Sequence, residues 1–148
     1  MKIAIGSDHA GFSLKEELKT ILVQRSIEVI DVGTDTTTSV DYPDFGVAVA
    51  RKVLSGTADR GILVCGSGIG MSIVANRFRG IRAALCLDTE TARLSRLHND
   101  ANIIVLAGRK TDSRSAEAIV AVWLDTDFEG GRHENRLDKI EKLAASSV

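Results

Sequence analysis

The chain has 148 residues, the length of one domain, and a chain of that size buries enough of its own surface to fold without a disulfide or metal staple. Hydrophobic residues make up 44% and charged ones 26%, with a single proline, which excludes a disordered tail or a fibre. Nineteen basic side chains against twenty acidic ones leave a formal charge of -1, so no basic field exists to hold a nucleic acid or an anionic membrane.

In chain order, Lys2-Ile3-Ala4-Ile5 predicts a short apolar strand. It runs through Gly6-Ser7-Asp8-His9-Ala10-Gly11 into a helix, for which Ser13 and Glu16 predict a capping box and Leu14, Leu18, Ile21 and Leu22 one apolar face. Residues 27–32 read as strand, 33–43 as a polar loop and 45–54 as helix. The unbroken apolar run Gly61-Ile62-Leu63-Val64-Cys65 predicts a strand covered on both faces, ending in Gly66-Ser67-Gly68-Ile69-Gly70 before another helix. Strand 81–87, helix 89–97, strand 102–107 and helix 113–124 follow. Glu129-Gly130-Gly131 breaks the chain ahead of a last amphipathic helix, about 132–146. Asp8 arrives too early for a signal-peptide core, and no apolar run approaches the roughly 20 residues a bilayer requires, so the expectation is a cytoplasmic protein with no membrane partner.

Strands alternating with helices predict an α/β fold, because parallel neighbours need crossover connections: one three-layer α/β/α domain, Rossmann-like, with a five-stranded parallel sheet. Ligands on such sheets bind beyond the carboxyl ends of the strands, which selects Asp8 and His9, Tyr42, the loop after Cys65, the segment near Asp88, and Arg109.

Three familiar chemistries fail on spacing. The first glycine loop has P-loop spacing, but Phe12 stands where the phosphate-binding lysine belongs. The second resembles the opening of a dinucleotide fingerprint, yet its third glycine would fall at Met71. A cysteine phosphatase would need an arginine at that same position. What remains is a thiol, Cys65, beside small residues that bare backbone N–H groups at a helix N-terminus, where an oxyanion is favoured and a thiol pKa is lowered. Cys65 is also a reasonable small core residue, and Cys86, with no such loop, reads as core only. Asp8 and His9 suit a strand-end turn as well as a ligand site, and His98-Asn99-Asp100 suits a helix C-cap. Arg132 and Arg136, four apart, share a helix face that could hold a phosphate or be solvated. His9, His98 and His133 are scattered and come with no cysteine pair, so no metal site is expected.

Five segments in order, Gly6-Ser7-Asp8-His9-Ala10-Gly11-Phe12, Asp41-Tyr42-Pro43-Asp44, Cys65-Gly66-Ser67-Gly68-Ile69-Gly70, Ser95-Arg96-Leu97-His98-Asn99-Asp100-Ala101-Asn102 and Glu129-Gly130-Gly131-Arg132-His133, resemble the type B ribose-5-phosphate isomerases, a family that also includes isomerases of hexose 6-phosphates. The resemblance implies a homodimer or a dimer of dimers with interface active sites, and interconversion of ribose 5-phosphate and ribulose 5-phosphate without metal or organic cofactor. It makes Cys65 the base that moves a proton between C2 and C1, and His98 the group that opens the furanose ring. Asp8, His9, the Gly66, Ser67, Gly68, Ile69 and Gly70 loop and Asn99 would hold the sugar and enediolate; Arg109, Arg132 and Arg136 would grip the phosphate; Tyr42 would line the pocket. One branch of the family places a glutamate base where this chain has Met71, which cannot act, so the duty falls to Cys65. Many members carry threonine at Ser67; the missing methyl leaves a roomier pocket and makes allose or galactose 6-phosphate the alternative substrate. A non-catalytic binder of sugar phosphates or nucleotides is the reading outside enzymology.

Overall fold

Alternation of strand and helix carries through the computed structural model, which describes residues 1–145. The elements are β1 (Lys2–Ser7), α1 (Phe12–Gln24), β2 (Glu28–Asp31), α2 (Tyr42–Leu54), β3 (Arg60–Cys65), α3 (Ile69–Ala75), β4 (Ala83–Leu85), α4 (Thr89–Asn99), β5 (Ile103–Ala107), α5 (Ser113–Asp125) and α6 (Arg132–Ala145). The strands form one parallel sheet in the order β2-β1-β3-β5-β4.

The pleat divides the apolar strand residues between two cores. Ile3, Ile5, Ile62, Val64, Ile104 and Leu106 face α1, α4 and α5, where Leu14, Leu18, Leu22, Ala92, Ile119 and Trp123 bury against them. Ala4, Leu63, Cys65, Ile103 and Val105 face α2 and α3, meeting Val49, Ala50, Met71 and Ala75. Both faces are covered, which is why the central strands read as continuous apolar runs and not as alternation. The three-layer, five-stranded architecture is the expected one. Its strand order reverses between β1 and β3, and in open α/β sheets the crevice at such a reversal is the place for a ligand.

Several local expectations are corrected. No capping box forms: α1 opens at Phe12 with Gly11 as its N-cap, and Ser13 already lies inside the helix. Asp8 instead shapes the turn ahead of the helix, its carboxylate accepting from the N–H groups of Ala10 and Gly11, both at 3.0 Å, while Glu16 turns to Lys15 and Lys19. Helix α2 starts at Tyr42, since Pro43 fits a first helical turn. β4 keeps only three residues, Ala83–Leu85; at its start the N–H of Arg82 donates to the side chain of Asn102 at 2.8 Å. α4 extends to Asn99, so His98 and Asn99 lie in its last turn. The expected end of the last helix at 146 lies outside the described residues.

Candidate active site

Three strand ends, of β1, β3 and β5, and the starts of α2 and α3 build a cleft of about 460 Å³ over the β1/β3 reversal, lined by Asp8, His9, Ala10, Tyr42, Cys65, Gly66, Ser67, Gly70, Arg109 and Lys110. Asp8 follows β1 and is 7% exposed; its Oδ1 is committed to the turn that starts α1, so the turn reading and the ligand reading share one side chain. His9 accepts from the backbone N–H of Val40 through Nδ1 at 3.2 Å, which leaves Nε2 as its donor and ties the polar loop to the cleft.

Cys65 ends β3 and is held in register by the N–H of Gly108, which donates to its carbonyl at 2.8 Å. It is only 4% exposed, belongs to the core packed on α2 and α3, and lines the floor of the cleft. The following loop turns through Gly68 in the left-handed region (φ 77), a conformation that a side chain resists. Ser67 Oγ accepts from the N–H of Ile69 at 3.3 Å. At Gly70 a Cβ would stand 2.7 Å from the ring of Tyr42, so the aromatic wall of the cleft sits directly on a glycine. Arg109 follows β5 and lies across Gly66.

The cleft therefore gathers Asp8, His9, Tyr42, Cys65, Gly66, Ser67, Gly70 and Arg109. Gly68 and Ile69 belong to the loop but not to the lining: Gly68 is buried against Leu85 and Leu106, and Ile69 is exposed. The segment near Asp88 is also outside, since β4 lies two strands from β3, about 10 Å away, and Asp88 is occupied as the N-cap of α4, accepting from Thr91 N–H at 2.7 Å. Ala10 and Lys110 are additions; Lys110, a second cation after β5, carried the same strand-end signal as Arg109.

His98, Asn99, Arg132 and Arg136 lie elsewhere, at the amino edge of the sheet. Cys65 pairs with Ala107 and Gly61 with Ile103, and His98 and Asn99 precede Ile103; about 13 Å of strand separates the two edges. Asp100, in the left-handed region at the end of α4, is held there by Arg82 at 2.8 Å and Arg96 at 2.7 Å. Gly130 and Gly131, both left-handed, then reverse the chain so that α6 starts beneath this corner. The rings of His98 and His133 stack with centroids 4.3 Å apart, so two of the three histidines that looked scattered in the sequence meet in space. Arg132 and Arg136 remain exposed on α6.

A parallel sheet that brings a cysteine, a histidine, an aspartate and one arginine together at its strand reversal has the form of an α/β enzyme site suited to small polar ligands. The sequence model of the Ribose/Galactose Isomerase family matches residues 3–140. This chain belongs to that family and is an isomerase. It is 48% identical over 142 residues to ribose-5-phosphate isomerase B of Escherichia coli, covering 96% of this chain and 95% of that protein. It is 42% identical over 141 residues to D-erythrulose-4-phosphate isomerase of Pectobacterium atrosepticum, covering 95% and 93% of the two chains. The solved structure of ribose-5-phosphate isomerase B from Clostridium thermocellum superposes with a TM-score of 0.98 at 51% identity, covering 100% of both chains.

Proposed function

We propose that this chain interconverts ribose 5-phosphate and ribulose 5-phosphate, without metal or organic cofactor, in a site shared by two copies of the chain. The observation that carries the reading is Cys65 in the lining of the cleft at the β1/β3 reversal, in a chain of the ribose/galactose isomerase family. Aldose–ketose isomerisation needs a base beside a carbon acid, donors for an oxyanion that exists only as the proton leaves, and a remote anchor for the substrate. Cys65 removes the C2 proton of the open-chain aldose; the C2–H electron pair becomes the C1–C2 double bond as the carbonyl pair moves to O1, and the enediolate collapses to the ketose when that proton is added at C1 and the O2 hydroxyl proton passes to O1. Asp8, His9, the Gly66 to Gly70 backbone and Asn99 hold the sugar and the enediolate, Tyr42 walls the pocket, and His98 opens the ring. Arg109, Arg132 and Arg136 anchor the phosphate, for which their planar donor forks are suited.

One chain carries this constellation at two opposite edges of its sheet, which is the ground for a homodimer, or a tetramer of two such dimers, with the His98 edge of one copy over the Cys65 cleft of another. The exposed apolar residues Ile69 and Ile73 beside the cleft and Ile140 and Leu143 on α6 give such a contact its apolar surface. Two free cysteines suit the cytoplasm; among the described residues no helix is long and apolar enough to cross a membrane. Ribose 5-phosphate in deuterated water is expected to yield ribulose 5-phosphate, with kcat/KM reduced about 10³-fold in Cys65→Ala, the scale of a lost general base. Full activity in that variant would reject the assigned base. The second reading, a hexose 6-phosphate such as allose or galactose 6-phosphate, is favoured by Ser67 in the lining of the cleft and is tested by comparing kcat/KM across ribose, allose and galactose phosphates; a strong preference for ribose removes it.

A further inference from the structure

Beneath the corner where α4 ends, three ligand-type side chains converge that spacing alone kept apart. Nε2 of His98 and Nε2 of His133 stand 3.9 and 3.6 Å from Oε2 of Glu129, too far for hydrogen bonds, and the three ligand atoms lie within 4.8 Å of one another. His133 is 4% exposed, and its Nε2 is buried without a hydrogen-bond partner. A buried polar atom left in that state has lost its hydration with nothing in return, a penalty that a ligand to that nitrogen would remove.

From this cluster we propose that His98, Glu129 and His133 form a site for a borderline transition-metal dication of the Zn²⁺ type, and that filling it withdraws His98 from the isomerase. The inhibitory half rests on the role given to His98 above; the binding half does not. The backbone of all three ligands is fixed. His98 sits in the last turn of α4, the N–H of Glu129 donates to the carbonyl of Leu97 at 3.1 Å, and the N–H of His133 donates to Gly130 at 3.1 Å. Burial, then the neighbouring His98 and Arg132, hold His133 below its ordinary pKa.

Donors about 2.1 Å from a tetrahedral ion stand about 3.4 Å apart, so the carboxylate needs to move by only a few tenths of an ångström. The imidazoles must do more. They are stacked at an interplanar angle of 14°, and their lone pairs converge on one ion only if the rings hinge open. Two imidazoles and one carboxylate leave a fourth position for water. The single oxygen ligand and the cationic neighbours Arg132 and Arg136 disfavour Mg²⁺ and Ca²⁺, which need oxygen-rich shells.

The test uses the full chain: calorimetric titration with Zn²⁺, visible spectroscopy with Co²⁺, Mg²⁺ as control, and the isomerase assay in parallel. The expected result is one Zn²⁺ per chain, tetrahedral d–d bands with Co²⁺, no response to Mg²⁺, and loss of isomerisation that a chelator reverses. Glu129→Gln, at an exposed position outside the proposed machinery, is expected to isomerise at the unaltered rate while its Zn²⁺ affinity falls roughly tenfold or more. His133→Gln is expected to lose binding as well. Unchanged affinity in Glu129→Gln, or a thiolate-to-cobalt charge-transfer band marking Cys65 as the ligand, would overturn the site. Absent Zn²⁺ binding in a fully active enzyme sinks the site and leaves the isomerase reading intact. Full activity in His98→Asn, with Zn²⁺ still bound by the unaltered chain, sinks the role of His98 and the inhibitory half alone.

Discussion

Tyr42 opens α2, and its ring occupies the space in which any side chain at position 70 would lie. The contact is with the far end of a side chain that is 38% exposed, so an added methyl displaces the ring and leaves the backbone in place. Gly70→Ala is therefore expected to change stability by no more than about 1 kcal/mol, while the displaced wall raises KM for ribose 5-phosphate about tenfold. Urea melts and steady-state kinetics on one preparation check both halves; an unfolded variant, or an unchanged KM, would contradict the account. This coupling was out of reach of the sequence, since nothing in Gly70 names the aromatic ring 28 positions upstream. Asp8, His9, Cys65 and Arg109 were legible because each ends or follows a strand that announces its own carboxyl end. Lys110 carried the same signal, but Ala10 has no chemistry to mark it.

The buried cation of α1 is the clearest case at the scale of elements. Lys15 is 1% exposed, adjacent to the apolar face of Leu14, Leu18 and Leu22, and its ammonium lies 2.5 Å from Asp31 at the end of β2 and 2.7 Å from Glu16. A helical pattern read by itself assigns such a lysine to solvent; its partner lies 16 residues away in another element. Burial of Asp31 would raise its pKa, but Lys15, Lys19 and the N–H of Gly33 together bring it below the ordinary 3.8. A carboxyl depressed in the fold stabilises it fully above its unfolded value, and that contribution is lost as pH falls below about 4 through the folded value. Asp31→Asn is expected to cost about 3 kcal/mol at neutral pH, the lower end for breaking a buried pair because Glu16 still faces the ammonium. It should also flatten the decline of stability below pH 4. Urea denaturation at a series of pH values measures both, and a variant as stable as the unaltered chain and equally acid-sensitive would remove Lys15–Asp31 from the account of how α1 is fixed to β2.

For the whole molecule, the decisive property is that a parallel sheet has two different edges. The carboxyl edge carries Cys65 and its cleft, and the amino edge carries His98 and the arginines of α6, so no bending within one chain brings them together across the strands. Periodicity made the layers and the strand count legible, and the order of motifs made the family legible, but the separation of Cys65 from His98 by the length of the strands follows from strand direction and becomes visible only once β3 and β5 are paired. If two copies face each other so that each supplies what the other lacks, Cys65→Ala and Arg136→Ala damage different halves of the same site. Assayed with substrate well below KM, each variant alone is expected to be nearly inactive, Cys65→Ala through kcat and Arg136→Ala through a KM raised about 10- to 100-fold by the lost charge-assisted hydrogen bonds. Unfolded together and refolded, half of the dimers pair one variant with the other, and each of these has one site with both groups intact. Activity should then return to about a quarter of that of the unaltered enzyme. Groups drawn from a single chain would leave no intact site in any pairing, and a mixture no more active than the two variants measured separately would refute the shared site.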